Sequence, residues 1–415
     1  MPKLMATRVT PLQPIAARYV RMEVALLAAF AFFLPLFEAP KNILWLLYLA
    51  TWLVNRARAR DFGGPWRMWD SLIAALIVSA PVGAAFAGLP HGEWNGVRDV
   101  VRYGLMLWAL SRTRYGAHEW RKVFIALLAG TLAGSAEGAW RMWQGKRDAL
   151  ELHSVGHSNH SAVYLTILFG ACLAWLCAFW KDLQAPARAL WLAGIALCGV
   201  AIVLSGSRVA LLAAGAIAPI VGAFFIKRSW KPLLVIVIAA MAGAAIITVE
   251  QPLVVRKQLR NMGNDNVLAY RDIIWERAVA AWREYPVFGI GMDNFGQIST
   301  ARYRNWLQEQ SGEYRAERDY GSSHAHSLYL NTLAERGAFG LAFMLAFLFA
   351  WLAALLKTQP RPDDNLAWAL WGASLSAWLA TVSIGLVNTT LHSEHALLAV
   401  MFLGAWLAHC RRKTS

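Results

Sequence analysis

Charged residues are scarce in this chain of 415 residues, and acidic residues are the scarcest of them. Only 16% of the residues are charged, with 25 Asp and Glu against 40 Lys and Arg, whereas 58% are hydrophobic. Soluble domains contain about 25% charged and roughly 45–50% apolar residues. This composition excludes a soluble enzyme of two or three domains, and it equally excludes a disordered or collagen-like chain.

Cysteine is rare as well, and its spacing forms no metal-ligand or disulfide pattern. The four cysteines lie within apolar runs or at the end of one: Cys172, Cys177, Cys198 and Cys410. We therefore expect four packing residues. A cleavable signal peptide is not expected either. The basic N-terminal 21 residues lead into an apolar run that no small-residue cleavage site follows.

Long apolar runs are what the sequence does contain. A membrane-spanning helix needs about 17–25 apolar residues, and shorter runs are tolerated where neighbouring helices cover them. Twelve runs qualify: Met22–Phe37, Asn42–Val54, Ser71–Leu89, Val97–Leu110, Val123–Trp143, Ser161–Trp180, Leu190–Leu204, Val209–Ile226, Pro232–Val249, Ala338–Leu356, Leu366–Val387 and Leu397–His409. We therefore predict an all-α polytopic membrane protein with about twelve transmembrane helices.

The distribution of Lys and Arg predicts how these helices are oriented. With the N-terminus in the cytoplasm, the cytoplasmic tails and short loops carry 22 Lys and Arg, and the opposite short loops carry 4. Basic loops are retained in the cytoplasm, so both termini are predicted to be cytoplasmic. The basic residues are expected to meet anionic lipid headgroups, and no nucleic-acid partner is needed to explain them.

One outer connection is far longer than the others and divides the chain. Residues 1–249 are predicted to hold spans one to nine, residues 250–325 a large outer loop, and residues 326–415 spans ten to twelve. Loops of this length are usually functional. Within the loop, Arg271–Glu284 reads as an amphipathic helix, because Trp275, Ala278, Val279 and Trp282 recur at helical spacing.

Histidine and arginine side chains gather on the predicted outer side. Eight of the ten histidines lie there, and Arg102 and Arg208 lie at the outer ends of spans. Arginine matches phosphate oxygens, and a histidine can take a proton from a hydroxyl. This combination suits attack by an acceptor hydroxyl on a sugar attached to a lipid diphosphate. The alternative for each arginine is a side chain that extends to the interface.

The same histidines leave a second interpretation open, which is a metal site. His153-x3-His157-x2-His160, His324-x-His326 and His392-x2-His395 have plausible ligand spacing. Because cysteine is absent there and carboxylates are few, we expect no metal, and we expect His91, His153 and His392 to be polar loop residues. A lipid-linked glycan transporter is disfavoured, since the inner halves of the spans nearly lack ionisable residues. A scaffold subunit with a docking loop remains a third possibility.

Several of these residues form a pattern that resembles the O-antigen ligase family. His326-Ser327, nine further residues and then Gly337-Ala338-Phe339-Gly340 resemble the family's His-[Asn/Ser/Gln]-x9-Gly-x-x-Gly signature. Weaker resemblances lie at Ser207-Arg208, at Arg271 followed by Pro286–Gly291, and at the segment that contains Asn159. Twelve spans with a large outer loop between the ninth and tenth are also similar to the family's layout.

The resemblance implies a fold, an activity and site residues. The family has a GT-C-like fold and acts on the periplasmic face of the Gram-negative inner membrane. It transfers O-antigen polysaccharide from undecaprenyl diphosphate to a sugar of lipid A–core, without a metal, cofactor or nucleotide sugar. By this resemblance, His326 is the general base, and Arg208 and Arg271 bind the donor diphosphate. His324, Asn159, His160 and Arg102 are secondary candidates.

Alternatives stay open beside this interpretation. His326 could cap a helix and Arg271 could lie on a solvated helix face. O-antigen polymerases and protein O-oligosaccharyltransferases share the motifs but use other acceptors. The sequence ends six residues after the last predicted span, whereas the oligosaccharyltransferases often carry an extra C-terminal region. We therefore expect a ligase or a polymerase.

Overall fold

A computed structural model describes residues 17–89, 92–226, 231, 270–310, 312–316 and 319–412. Every regular element over these residues is helical, with a single 3₁₀ turn at Phe295–Gln297. The α-helices, numbered in chain order, are α1 Ala17–Phe33, α2 Glu38–Ala59, α3 Met68–Ala85, α4 Glu93–Ser111, α5 Ala117–Trp143, α6 Ser158–Phe179, α7 Ala185–Leu204, α8 Arg208–Phe225, α9 Arg271–Glu284, α10 Thr300–Glu309, α11 Leu328–Lys357, α12 Asn365–Ile384 and α13 Ser393–Arg412.

Eleven of the twelve predicted spans coincide with long helices, and the ninth, Pro232–Val249, lies outside the described residues. Among the helices that the structure describes, eight are long and apolar enough to cross a membrane, namely α3, α5, α6, α7, α8, α11, α12 and α13. Helices α1, α2 and α4 do not meet that requirement, and each carries charged residues toward one or both ends. The chain therefore has the architecture of a polytopic membrane protein.

Helix α6 forms the centre of the bundle. All of its residues from Ser161 to Ala178 are buried, as expected for a helix that is apolar on every side. Small residues let α12 approach closely: a Cβ at Gly170 would lie 2.4 Å from the Ser376 Cβ, and one at Gly372 would lie 2.6 Å from the Ala174 Cβ. Large exposed side chains such as Leu212, at 74%, lie on the periphery.

The long helices run alternately up and down, so the described bundle has two distinct ends. One end holds His160, His324, His326 and His392, and we call it the histidine end. The other holds the buried carboxylates of Glu23 and Asp70 with their arginine partners, and we call it the ion-pair end. The N-termini of α6, α8, α11 and α13 all lie at the histidine end, so their helix dipoles favour negative charge there.

Helices α9 and α10 form a smaller apolar cluster next to the histidine end. Helix α9 buries a different face from the one that the sequence predicted, with Ile274, Ala278 and Ala281 in the cluster. Arg277 turns into this face because it forms a buried ion pair with Asp319 at 3.2 Å. The buried face of α9 is therefore rotated about the helix axis relative to the apolar face that the sequence predicted.

Candidate functional site

His326 lies at the junction between the segment after α10 and the start of α11. Its backbone adopts the left-handed conformation, with φ of 46°, which is unfavourable for a residue with a side chain and is typical of functional positions. The junction is fixed on both sides. The Ala325 amide donates to Asn331 Oδ1 at 2.9 Å, and Ser327 Oγ accepts from the Leu330 amide at the helix N-cap.

The glycine motif after His326 has a structural role. Gly337 interrupts α11 with φ of 62°, and a Cβ there would lie 2.2 Å from the Val287 carbonyl oxygen. The segment Pro286–Gly291 fills the break. Its carbonyls accept from the Ala338 and Phe339 amides at 2.8 and 3.0 Å, and its Ile290 amide donates to the Ala334 carbonyl at 2.9 Å. The two motif segments therefore join the C-terminal end of α9 to the break in α11.

Arg208 and Arg271 are the first residues of α8 and α9, and both lie at the histidine end within electrostatic reach of each other. Burial and the positive charge of Arg208 lower the pKa of Arg271. Arg271 Nε also donates to the Val387 carbonyl at 2.9 Å, which fixes its guanidinium. Among the described residues, Arg208 forms no ion pair. Two adjacent guanidinium groups at helix N-termini favour a ligand with more than one negative charge.

His326 lies within the electrostatic reach of Arg271. Burial lowers its pKa, and the charge of Arg271 lowers it further, as does His157. A hydrogen bond with the Asn388 side chain acts in the opposite direction. The imidazole is therefore neutral at pH 7 and able to accept a proton.

Four other histidine rings form a cluster beside His326. Ring centroids are separated by 6.0 Å for His160 and His324, 5.9 Å for His160 and His392, 5.3 Å for His160 and His395, and 5.5 Å for His324 and His392. Burial lowers the pKa of His324 to about 4, with the neighbouring histidines adding to the effect. Within the residues that the structure describes, no three His, Cys, Asp or Glu side chains are arranged to hold a metal ion.

Two secondary candidates have mainly supporting roles. The Asn159 amide donates to His157 Nδ1 at 3.2 Å in the turn that starts α6. Arg102 donates to Asn42 Oδ1 at 2.9 Å and pairs with Asp99 at 3.3 Å. Burial is the main cause of the lowered pKa of His392, and the charge of Arg102 adds a smaller lowering effect. Neither contact places the side chain against the two arginines.

The sequence did not identify Asn388, His392 or His395 as site residues. His392 was predicted to be a polar loop residue, yet it lies in the histidine cluster. The sequence feature that could have pointed to them is the polar run Asn388–His395 between two apolar spans. Its importance becomes visible only when the turn between α12 and α13 packs against the start of α11, where the Leu328 amide donates to the Gly385 and Asn388 carbonyls.

Fold and site together define a polytopic membrane protein with two arginines and a histidine of lowered pKa at one end of its helices. Residues 193–345 match the family model described as O-antigen ligase. This match confirms the resemblance to the O-antigen ligase family that the motifs indicated, and it supports a glycan-transferring role in general. The matched region contains Arg208, Arg271, His326, Gly337 and Gly340. No curated protein matches the chain.

Proposed function

We propose that this protein transfers O-antigen polysaccharide from undecaprenyl diphosphate to a sugar hydroxyl of lipid A–core. The observation that carries the proposal is the pair Arg208 and Arg271 beside His326. The arginines provide fixed positive charge for a diphosphate, and the histidine, whose pKa burial and Arg271 lower, is a base beside them. These are the groups that a glycosyl transfer from a lipid diphosphate requires.

In the proposed mechanism, His326 accepts the proton of the acceptor hydroxyl. The acceptor oxygen then bonds to the anomeric carbon of the donor sugar, and the bond from that carbon to the diphosphate oxygen breaks. Arg208 and Arg271 stabilise the negative charge that develops on the leaving diphosphate. Undecaprenyl diphosphate leaves, and His326 releases its proton to solvent. The two guanidinium groups supply the positive charge, so the mechanism uses no metal ion.

The proposed topology puts the histidine end on the periplasmic side of the bacterial inner membrane. It keeps the twelve spans, the cytoplasmic termini and the division into residues 1–249, 250–325 and 326–415. The Lys and Arg distribution of 22 against 4 supports this orientation. The anionic lipid donor and the lipid-anchored acceptor would both then reach the site from the outer leaflet.

Purified protein in detergent tests the proposal. Lipid-diphosphate-linked glycan and lipid A–core are mixed with the wild type, His326→Ala or Arg208→Ala in excess EDTA, and transfer is followed by gel shift. We expect wild-type transfer and a loss of about 10²–10⁴-fold in the His326 variant. His118→Ala is the matched control, because His118 is exposed and lies away from the histidine end.

Other results would assign a different activity. Longer glycan on the lipid carrier, with none on lipid A–core, would identify a polymerase. Transfer to a protein Ser or Thr would identify an oligosaccharyltransferase. Full activity in both site variants would contradict the assigned roles and favour a scaffold subunit.

A further inference from the structure

A second concave site lies along the exposed side of α9, between α9 and α10. The groove has a volume of ≈ 690 Å³, within the range of about 300–1,000 Å³ that is usual for ligand pockets. It is lined by Asp272, Trp275, Glu276, Val279, Ala280, Arg283, Tyr303, Leu307, Gln310, Glu313 and Arg315. None of these side chains belongs to the proposed transfer site.

The lining combines an apolar surface with a rim of both charges. Trp275, Val279 and Leu307 provide apolar area, and the rim has three carboxylates and two guanidinium groups. Glu313 and Arg315 pair with each other at 2.8 Å. Because acidic groups outnumber basic ones, the groove does not favour a phosphate. It suits a neutral ligand with apolar faces and many hydroxyls, which describes a pyranose ring, since each hydroxyl both donates and accepts.

Hydrogen-bonding capacity is left unused in the wall of the groove. Gln310 Nε2 donates to the Ala280 carbonyl at 3.1 Å. Over the described part of the chain, the buried Gln310 Oε1 and Trp275 Nε1 have no hydrogen-bond partner. Buried polar groups without partners are unfavourable. Both atoms are shielded from solvent in the unliganded protein, so a small shift of either side chain toward the groove would be needed to present it to a sugar hydroxyl.

The position of the groove connects it to the transfer site. Arg271 is the first residue of α9, and Asp272, Trp275, Glu276 and Val279 follow it on one side at spacings of one helical turn. With 14 residues, α9 extends for about 21 Å. A glycan that leaves a diphosphate held at Arg271 and follows α9 would therefore enter the groove after a few sugars.

We propose that this groove is a saccharide subsite that binds sugars of the donor polysaccharide remote from the diphosphate. The proposal rests on the proposed function for the identity of the glycan. It gives the loop helices a role in recognising the glycan chain, separate from the chemistry at His326. It also predicts that long donors are used better than short ones.

Binding of free glycan tests the subsite without transfer. The donor polysaccharide, released from its lipid by mild acid, is titrated into the full-length protein in detergent by calorimetry. We expect Trp275→Ala and Glu276→Gln each to weaken binding about tenfold. Trp275→Phe keeps an aromatic face but loses the indole Nε1 and part of the apolar surface, so it should weaken binding less than Trp275→Ala. Glu309→Gln is the matched control, an exposed carboxylate on α10 outside the groove.

Equal binding by the wild type and both groove variants would overturn the proposal. Binding of core oligosaccharide in place of donor glycan would overturn the assignment to the donor. Transfer assays add a second arm, in which donors with one repeat and with many repeats compete. The ratio of long-donor to short-donor transfer should fall about tenfold in the groove variants. An unchanged ratio contradicts the subsite, whereas no wild-type transfer from either donor contradicts the proposed function.

Discussion

The two ends of the helical bundle handle charged side chains in different ways. At the ion-pair end, the buried Asp70 carboxylate accepts from Arg112 at 2.9 Å and from Arg411 at 2.6 Å. At the histidine end, the half-buried Arg208 and Arg271 lie within electrostatic reach of each other, and Arg271 lies within reach of His326. Lys41 and Glu394 form an ion pair there, yet it lies on the side of α2 and α13.

This difference indicates what each end is for. Charges that only support the fold must have partners within the chain, because an uncompensated buried charge is costly. The ion-pair end meets this requirement with its own carboxylates. Two neighbouring guanidinium groups instead repel each other, and a diphosphate would remove that repulsion. Without substrate, the repulsion between the two arginines therefore destabilises the histidine end. The charges at the ion-pair end are already paired and cause no such destabilisation.

Substituting one charged residue at each end should affect stability and glycan transfer in opposite ways, and this is the largest effect that we expect. Asp70→Asn leaves Arg112 and Arg411 without their carboxylate and should destabilise the protein by about 3–5 kcal/mol. Arg208→Gln should preserve or raise stability and lower glycan transfer at least about a hundredfold. Thermal unfolding in detergent and the transfer assay measure both variants. Equal destabilisation by the two would mean that Arg208 is structural.

The next largest effect concerns the helix break that joins the two motif segments. Gly337→Ala places a Cβ 2.2 Å from the Val287 carbonyl oxygen at a left-handed φ of 62°, so we expect a loss of at least about 2 kcal/mol together with weaker transfer. Gly145→Ala is the control, because Gly145 has φ of 68° and nothing within 4 Å of its Cβ position. If both variants lose the same stability, the left-handed φ alone explains the loss, and the contact between Gly337 and Pro286–Gly291 contributes nothing to it.

The sequence predicted the helical bundle more completely than the site. Apolar runs located eleven helices, since helix formation in a membrane depends on composition over one segment. The helices extend past those runs, as α11 does by beginning at Leu328 where Ala338 was predicted. The motif linked His326 to Gly337 but could not show that Pro286–Gly291 fills the break.

Long-range packing explains the residues that the sequence did not reveal. His392 and Asn388 enter the site only because the turn between α12 and α13 folds against the start of α11. The rotation of α9 has a similar origin, because Asp319 lies more than 40 residues from Arg277 and makes burial of that arginine possible. Residue type along one helix carries no information about such a partner.

The smallest expected effect is a shift in the pH dependence of glycan transfer, which tests the effect of Asn388 on His326 separately from that of the arginines. Because the pKa of His326 is lowered below its usual 6.5, transfer should hold its plateau at neutral pH and fall as His326 becomes protonated in acid. Asn388→Ala removes an interaction that favours the protonated form, so the acid limb should move to lower pH. Asn388→Asp adds a negative charge and should move it to higher pH. Rate profiles from pH 4 to 8 measure both shifts, and a merely structural role for Asn388 would move both variants in the same direction.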